Sequence, residues 1–198
     1  MTNVVAAITI SLDGYITGPN DGPGQGLGQG GERLHYWVFG GPWSYETEPT
    51  GEATGADKEY LDEAMARAGA VVVGRGMYES AEAWGGQNPF GVPLFVVTHR
   101  PEDAPSEGGF TFVDGLDEAI AQAREAAGGN DISVGGGADV IRQALRAGYV
   151  DELALSIAPV ILGSGKRLFD GFEQTLNLEH KALLQSPFAT HITYRLVR

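Results

Sequence analysis

Between Asp131 and Leu145 a short strand, three consecutive glycines and an amphipathic helix follow one another without a break, and few folds accommodate such a junction. Ile132 and Val134 are β-branched and come after the turn-forming Gly128-Gly129-Asn130, which predicts a short buried strand. Val140, Ile141, Ala144 and Leu145 then share one helical face, and Gly148 stops the helix as a C′ residue. Gly135, Gly136 and Gly137 lie between the two. Glycines there let backbone pass close to a ligand, and a helix start presents unpaired N–H groups to an anion, so a phosphate is expected at this turn. Taken alone, the same residues equally suit a tight strand–helix turn that binds nothing.

The 198 residues suit one domain over positions 1–198, large enough to bury a core without staples. The absence of cysteine removes disulfide and thiol chemistry and fits a reducing cytoplasm. No apolar run is long enough to span a bilayer, and no basic-then-apolar export signal opens the chain. A formal charge of −13 disfavours nucleic acid and anionic membranes as partners. A phosphate-rich cofactor stays possible if a few arginines and helix starts form a local positive pocket.

Along the chain, Asn3 to Thr17 opens on the apolar residues Val4, Val5, Ala6, Ala7, Ile8 and Ile10, as for a central strand covered on both faces, and kinks at a Ser11-Leu12-Asp13-Gly14 turn before Tyr15-Ile16. Residues 18–31 contain a formal dinucleotide fingerprint, Gly26-x-Gly28-x-x-Gly31. It lacks the strand before it and the helix after it, so a mobile surface loop is expected instead. Trp37, Phe39, Trp43 and Tyr45 then form either a satellite apolar cluster or a stacking wall for a flat heterocycle.

Thr54-x-x-Asp57 resembles a capping box for a helix whose apolar face is Tyr60, Leu61, Ala64, Met65 and Ala68. Ala70–Val73 is an all-apolar strand running into Gly74-Arg75, and Pro93–Thr98 is a further apolar strand followed by His99-Arg100. A further strand at Phe110–Val113 precedes a helix that Asp114 could cap. Leu153, Leu155 and Ile157 alternate with smaller residues, and Pro159 argues for an edge or bulged strand. Asn177–Gln185 and Ala189–Val197 read as a C-terminal hairpin with Thr190, Ile192, Tyr194 and Leu196 on one face. The order β-α-β-α-β-β-α-β-α-β followed by two antiparallel strands predicts a mixed, mainly parallel sheet between helix layers. Ligands of such sheets lie beyond the carboxyl ends of the strands, where the Arg75, Arg100 and Gly136 turns all fall. His35, His99, His180 and His191 lack metal-ligand spacing, so no metal is expected.

Taken in order, these segments resemble the dihydrofolate reductases, and more closely the reductase domain of bacterial riboflavin biosynthesis, the RibD C-terminal domain. Val5-Ala6-Ala7-Ile8 through Ile16 resembles the first strand, Gly74-Arg75-x-Met77-Tyr78-Glu79-Ser80 the Gly-Arg-x-Thr-Trp-Glu-Ser segment, and Thr98-His99-Arg100 the adenosine-ribose segment. Gly135-Gly136-Gly137 with Val140 resembles the pyrophosphate turn, and Gly163-x-Gly165 before Phe169 a later loop.

The resemblance implies a three-layer αβα dihydrofolate reductase-like fold, NADPH as cofactor and a homodimer. It also implies hydride transfer to a pyrimidine- or pteridine-type substrate, as in 5-amino-6-(5-phosphoribosylamino)uracil reductase. The implied cofactor contacts are Ala7, Ile16, Gly74, Arg75, Met77, Thr98, His99, Arg100, Gly135, Gly136, Gly137 and Val140. Asp57 stands one residue from the position of the folate enzymes' substrate carboxylate and is the implied acid or anchor. Asp13, Trp37 and Phe90 are the implied substrate contacts. Segment 83–92 lacks the arginine that grips the folate glutamate, and residues 35–45 lack the phosphoribose-binding pattern. Dihydrofolate reductase and a non-catalytic NADP-binding module are the alternatives.

Overall fold

The two faces of the first strand set the layering. We describe a computed structural model covering residues 2–47 and 49–197. Its elements are β1 (Val4–Ser11), β2 (Tyr15–Thr17), a 3-10 turn at Gly31–His35, α1 (Gly55–Arg67), β3 (Ala68–Gly74), α2 (Arg75–Ser80) and α3 (Ala83–Gly86). They continue as β4 (Leu94–Thr98), a 3-10 turn at Pro101–Asp103, β5 (Phe110–Asp114), α4 (Leu116–Ala126), β6 (Asp131–Gly136) and α5 (Ala138–Arg146). β7 (Glu152–Ala158), β8 (Lys166–Arg167), β9 (Asn177–Gln185) and β10 (Thr190–Val197) complete the described chain.

Eight strands form one sheet in the order β5-β4-β3-β6-β1-β7-β10-β9, while β2 and β8 pair separately. The first six run parallel, and β10 is antiparallel to both β7 and β9. β6, late in the chain, is inserted between β1 and β3, so the direction of winding reverses here and the neighbouring crossovers leave on opposite sides. That reversal is where an open α/β sheet leaves a crevice at its carboxyl edge.

Because side chains alternate along a strand, β1 sends Val4, Ala6 and Ile10 to one face. There they meet Ile132, Val134, Leu153 and Leu155 from neighbouring strands and the apolar stripes of α4 and α5, including Ile120, Ile141 and Leu145. This is the main core. The other face is divided. Over β3, β4 and β5, Val71, Val73, Leu94, Val96, Phe110 and Phe112 pack beneath Met77, Tyr78 and Trp84 of α2 and α3. Over β6, β1, β7 and β10 the sheet presents Ala7, Ser133, Ala154, His191 and Thr193 to α1. Small residues leave α1 little to pack on. Tyr60, Leu61, Ala64 and Met65 of α1 border the cleft beside them.

Several expectations are corrected. The expected apolar face, Tyr60, Leu61, Ala64, Met65 and Ala68, lines the cleft, with Met65 41% exposed. The capping box does not form, because the Thr54 side chain makes no cap and the Asp57 carboxylate turns inward to His191. Gly115, not Asp114, is the N-cap of α4. Pro159 follows the end of β7, which lies inside the sheet between β1 and β10 rather than at an edge. The glycine-rich loop is tied down by Gly18 N–H to Leu27 O (2.8 Å) and Gln29 N–H to Pro19 O (2.9 Å). A Cβ on Gly26 would come within 2.5 Å of Ser80 O, so the loop lies against the end of α2 and not free in solvent. The C-terminal hairpin forms as expected, with Ile192, Tyr194 and Leu196 on the main core and a bulge in β9 opposite Thr193 and Tyr194.

Candidate active site

A cleft of about 1710 Å³ opens at the carboxyl ends of the parallel strands, between α1 and α2. Pockets for single drug-sized ligands run to roughly 300–1,000 Å³, so this one has room for a dinucleotide and a second molecule. Register explains why its walls meet. Gly74 pairs with Val97, and Val73 pairs with Gly136, so β3, β4 and β6 end at the same level. Gly74-Arg75, Thr98-His99-Arg100, Gly135 and Gly137 therefore border one space, together with Ala7, Ile16, Met77 and Val140. Gly136 lies between two lining residues with φ +112, and a Cβ there would stand 3.1 Å from Ile8 Cδ1. The Gly136–Gly137 peptide is cis. α5 starts just beyond with Gly137 as N-cap and no side-chain cap, and its first-turn residues Ala138, Asp139 and Val140 line the cleft.

The far wall is aromatic and polar. Trp37, Phe39, Trp43 and Tyr45 all line it. Phe39, Trp43 and Tyr45 form an edge-to-face series with centroids 5.2 and 5.1 Å apart. Tyr45 Oη accepts from Leu27 N–H (2.8 Å), joining this wall to the glycine-rich loop, and burial pushes its phenol up to about 12. His35, also on the wall, is brought down to about 4 by burial, which disfavours its charged form. Thr17 Oγ1 is buried on the cleft wall and has no hydrogen-bond partner in the chain, the one such side-chain atom among the described residues.

At the adenosine-like end, Arg75 Nη1 donates to Asp103 Oδ2 (2.7 Å) and its Nε donates to Glu79 (2.7 Å), hydrogen bonds that raise its pKa. Arg100 is 63% exposed with Nε 3.4 Å from the same Asp103 carboxylate. Thr98 Oγ1 accepts from Arg100 N–H (3.1 Å). His99 is almost wholly exposed, with Nδ1 3.7 Å from Asp114. The arginines are thus in place, but Asp103 already engages both.

Three expected site residues sit differently. Asp13 is outside the cleft: its carboxylate accepts from Ser11 Oγ (2.6 Å) and from the N–H groups of Leu162 (3.0 Å) and Gly163 (2.8 Å). Desolvation raises its pKa, but those hydrogen bonds outweigh it and bring the group down to about 2. It is a clamp between two loops. Asp57 lies behind the cleft wall, 2% exposed, with Oδ1 2.8 Å from His191 Nε2. Phe90 touches the cleft yet belongs to the α2–α3 cluster, edge-on to Trp84 at 5.5 Å.

Histidine was the signal the sequence obscured. His191 is 2% exposed, its Nδ1 is 2.8 Å from Ser156 Oγ, and Tyr60 stacks on it at 4.2 Å with Trp37 edge-on at 4.9 Å. Trp37 Nε1–H donates to Thr9 Oγ1 (3.1 Å). Alternation in the last strand puts His191 opposite Ile192, which would have marked it as facing the α1 layer.

Fold and cleft together define a reductase-like α/β protein, and comparison with known proteins supplies the family. The model of the RibD C-terminal domain family matches residues 2–191, so the chain belongs to that family. A candidate riboflavin biosynthesis protein from Shewanella sp. PV-4 superposes with a TM-score of 0.72 at 25% identity, covering 100% of both chains. Dihydrofolate reductase from Enterococcus faecalis, solved with NADP(H) and RAB-propyl, superposes with a TM-score of 0.61 at 17% identity over 98% of this chain and 96% of that one. The latter likeness establishes the dihydrofolate reductase-like fold. The uncharacterized protein YyaP of Bacillus subtilis (strain 168) is 49% identical over 51 residues, which span 26% of this chain and only 27% of YyaP. Among the described residues no helix is long and apolar enough to cross a membrane, and no cluster of His, Cys, Asp or Glu is arranged to hold a metal ion.

Proposed function

We propose that this protein is an NADPH-dependent reductase of a small pyrimidine- or pteridine-type heterocycle, with residues 1–198 acting as one domain in the cytoplasm. The observation that carries the reading is the meeting of the Gly74-Arg75, Thr98–Arg100 and Gly135–Gly137 turns on one cleft large enough for two ligands. The residues fit the cofactor. Gly74 has no room for a side chain, since a Cβ would come within 2.7 Å of Val140 Cγ2, so backbone forms the floor there. The α5 start offers N–H groups to a pyrophosphate, and Arg75 and Arg100 offer guanidinium donors to a 2′-phosphate. Thr17 Oγ1 supplies a polar atom still in need of a partner. Bound there, the reduced nicotinamide would supply a hydride to a polarised C=N or C=O bond.

The chain's own residues orient the acceptor and exclude water. Trp37, Phe39 and Trp43 offer flat surfaces against which a heterocycle stacks, an arrangement worth about 0.5–1.5 kcal/mol per aromatic pair beyond buried area. The exposed edge strand β9, with Leu178 and Leu183 open to solvent, is consistent with the homodimer that the family resemblance implies. The test is to saturate the protein with NADPH, add a panel of pteridines, pyrimidines and their phosphoribosyl derivatives, and follow loss of reduced-nicotinamide absorbance. Oxidation with at least one member is expected. Tight NADPH binding without oxidation across the panel would refute the enzyme reading.

A further inference from the structure

Three adjacent strands and one helix bring together a row of polar side chains, hydrogen-bonded from Ser156 through His191 to Asp57, that the cofactor cleft does not require. Thr9, Ser156 and His191 stand side by side on adjacent strands, since Thr9 pairs with Ser156 and Ser156 with His191. All three point to the α1 side of the sheet, where Trp37 hydrogen-bonds Thr9 and α1 brings Asp57 onto His191. The links are 2.8 Å from Ser156 Oγ to His191 Nδ1 and 2.8 Å from His191 Nε2 to Asp57 Oδ1. Ser156 borders the cleft; His191 and Asp57 do not. The row therefore runs from a solvent-free interior to the ligand space.

We propose that Asp57, His191 and Ser156 form a proton relay whose cleft end is the Ser156 hydroxyl, serving the nitrogen of a C=N bond in a bound heterocycle. The proposal rests on the reductase reading above and adds the source of the proton. Bound in the cleft, the reduced nicotinamide would supply a hydride to the carbon of the C=N bond, and the nitrogen, gaining the π electrons, would take the Ser156 hydroxyl proton. Ser156 Oγ recovers a proton from Nδ1–H of the His191 imidazolium. His191 is left neutral with Nε2–H donating to Asp57, and solvent later restores its second proton. Substrate is reduced by two electrons and the nicotinamide is oxidised by two.

The surroundings of His191 suit this exchange. Tyr60 stacks on the ring and Trp37 meets it edge-on, so its plane is fixed. Burial lowers its pKa, while the hydrogen bond and charge of Asp57 oppose that fall and hold the ring against the carboxylate. The Tyr60 phenol, beside Ser156, is pushed up by burial and stays a proton donor. The other charged groups on this side of the sheet are paired: Arg67 with Asp131 (2.7 Å) and Glu152 (3.0 Å), and Lys181 with Glu152. Glu63 stands 3.9 Å from Arg67. None of these makes a hydrogen bond to His191.

Two measurements test the relay. In cofactor-free protein carrying 15N-histidine, NMR should show His191 as the Nε2–H tautomer with a midpoint below that of an exposed histidine. Asp57→Asn should lower that midpoint by about one pH unit, a tenfold change in proton affinity. With whichever acceptor the panel reveals, Ser156→Ala and His191→Gln should slow single-turnover reduction roughly 10²-fold, the usual contribution of a positioned acid. NADPH affinity should be unchanged, and Ser156→Thr should restore the rate. Full rates with an unaltered pH profile in Ser156→Ala and His191→Gln would overturn the relay and leave the reductase reading intact. If no acceptor is reduced, the reductase reading fails and the titration alone judges the relay. A His191 midpoint indifferent to Asp57→Asn then overturns it.

Discussion

The pairing of Asp57 with His191 can be weighed by a double-mutant cycle. Both residues are 2% exposed and meet at 2.8 Å, so solvent screens the contact little. Asp57→Ala leaves His191 Nε2–H buried without an acceptor, a loss of about 1–3 kcal/mol. His191→Phe preserves the ring stacked on Tyr60 but strands a buried carboxylate, which costs about 3–5 kcal/mol. The double variant removes both partners and should fall short of the summed losses by roughly 1.5–3 kcal/mol, the range for a hydrogen bond to a charged group. For a chain of this length each kcal/mol moves Tm by about 2–4 °C, so His191→Phe should lower Tm by roughly 6–20 °C. Urea unfolding of wild type, both single variants and the double variant at neutral pH supplies the four free energies. Losses that add to within about 0.5 kcal/mol would show that the two side chains do not stabilise each other, and the interior end of the relay would lose its basis.

Acidification should destabilise the fold in two windows. His35 is depressed to about 4 and His191 is also lowered, so their contribution is complete above pH 6.5 and fades as the pH falls through their folded values. Asp13, depressed to about 2, extends the loss from its ordinary value of 3.8 downward; Tm between pH 8 and 3 checks the direction, and stabilisation on acidification below 6.5 would contradict it. Arg100→Ala should weaken NADPH by only about 1 kcal/mol, roughly fivefold, because the side chain is 63% exposed, and should leave NADH nearly unchanged. Asp103→Asn, which releases Arg75 and Arg100, should tighten NADPH several-fold, and calorimetric titration with each nucleotide reads both effects. Gly74→Ala drives a methyl into Val140 and should cost about 1–3 kcal/mol in urea unfolding.

Much of the architecture was legible because parallel strands buried on both faces leave short apolar runs, as in Val71–Val73 and Leu94–Val97, each ended by a turn residue. The strand–glycine–helix junction at Asp131–Leu145 showed its type and its placement at the sheet edge. The α1 layer was not legible. Its face looks like any amphipathic stripe, and only the small residues it meets on β1 and β7, far away in sequence, turn it into a cleft wall. The His191 contacts are likewise remote, 35 residues from Ser156 and 134 from Asp57, so local spacing carries no trace of them. Asp13 reads from the sequence both as a turn residue and as an implied substrate contact; the turn role holds, and its partners Leu162 and Gly163, about 150 residues on, leave no local trace.

Hydrogen exchange with and without saturating NADPH tests the shared cradle most directly. Exchange should slow together at residues 74–77, 98–100 and 135–140, with little change along β9. Protection confined to one of those turns, or appearing elsewhere while all three stay unaffected, would contradict it.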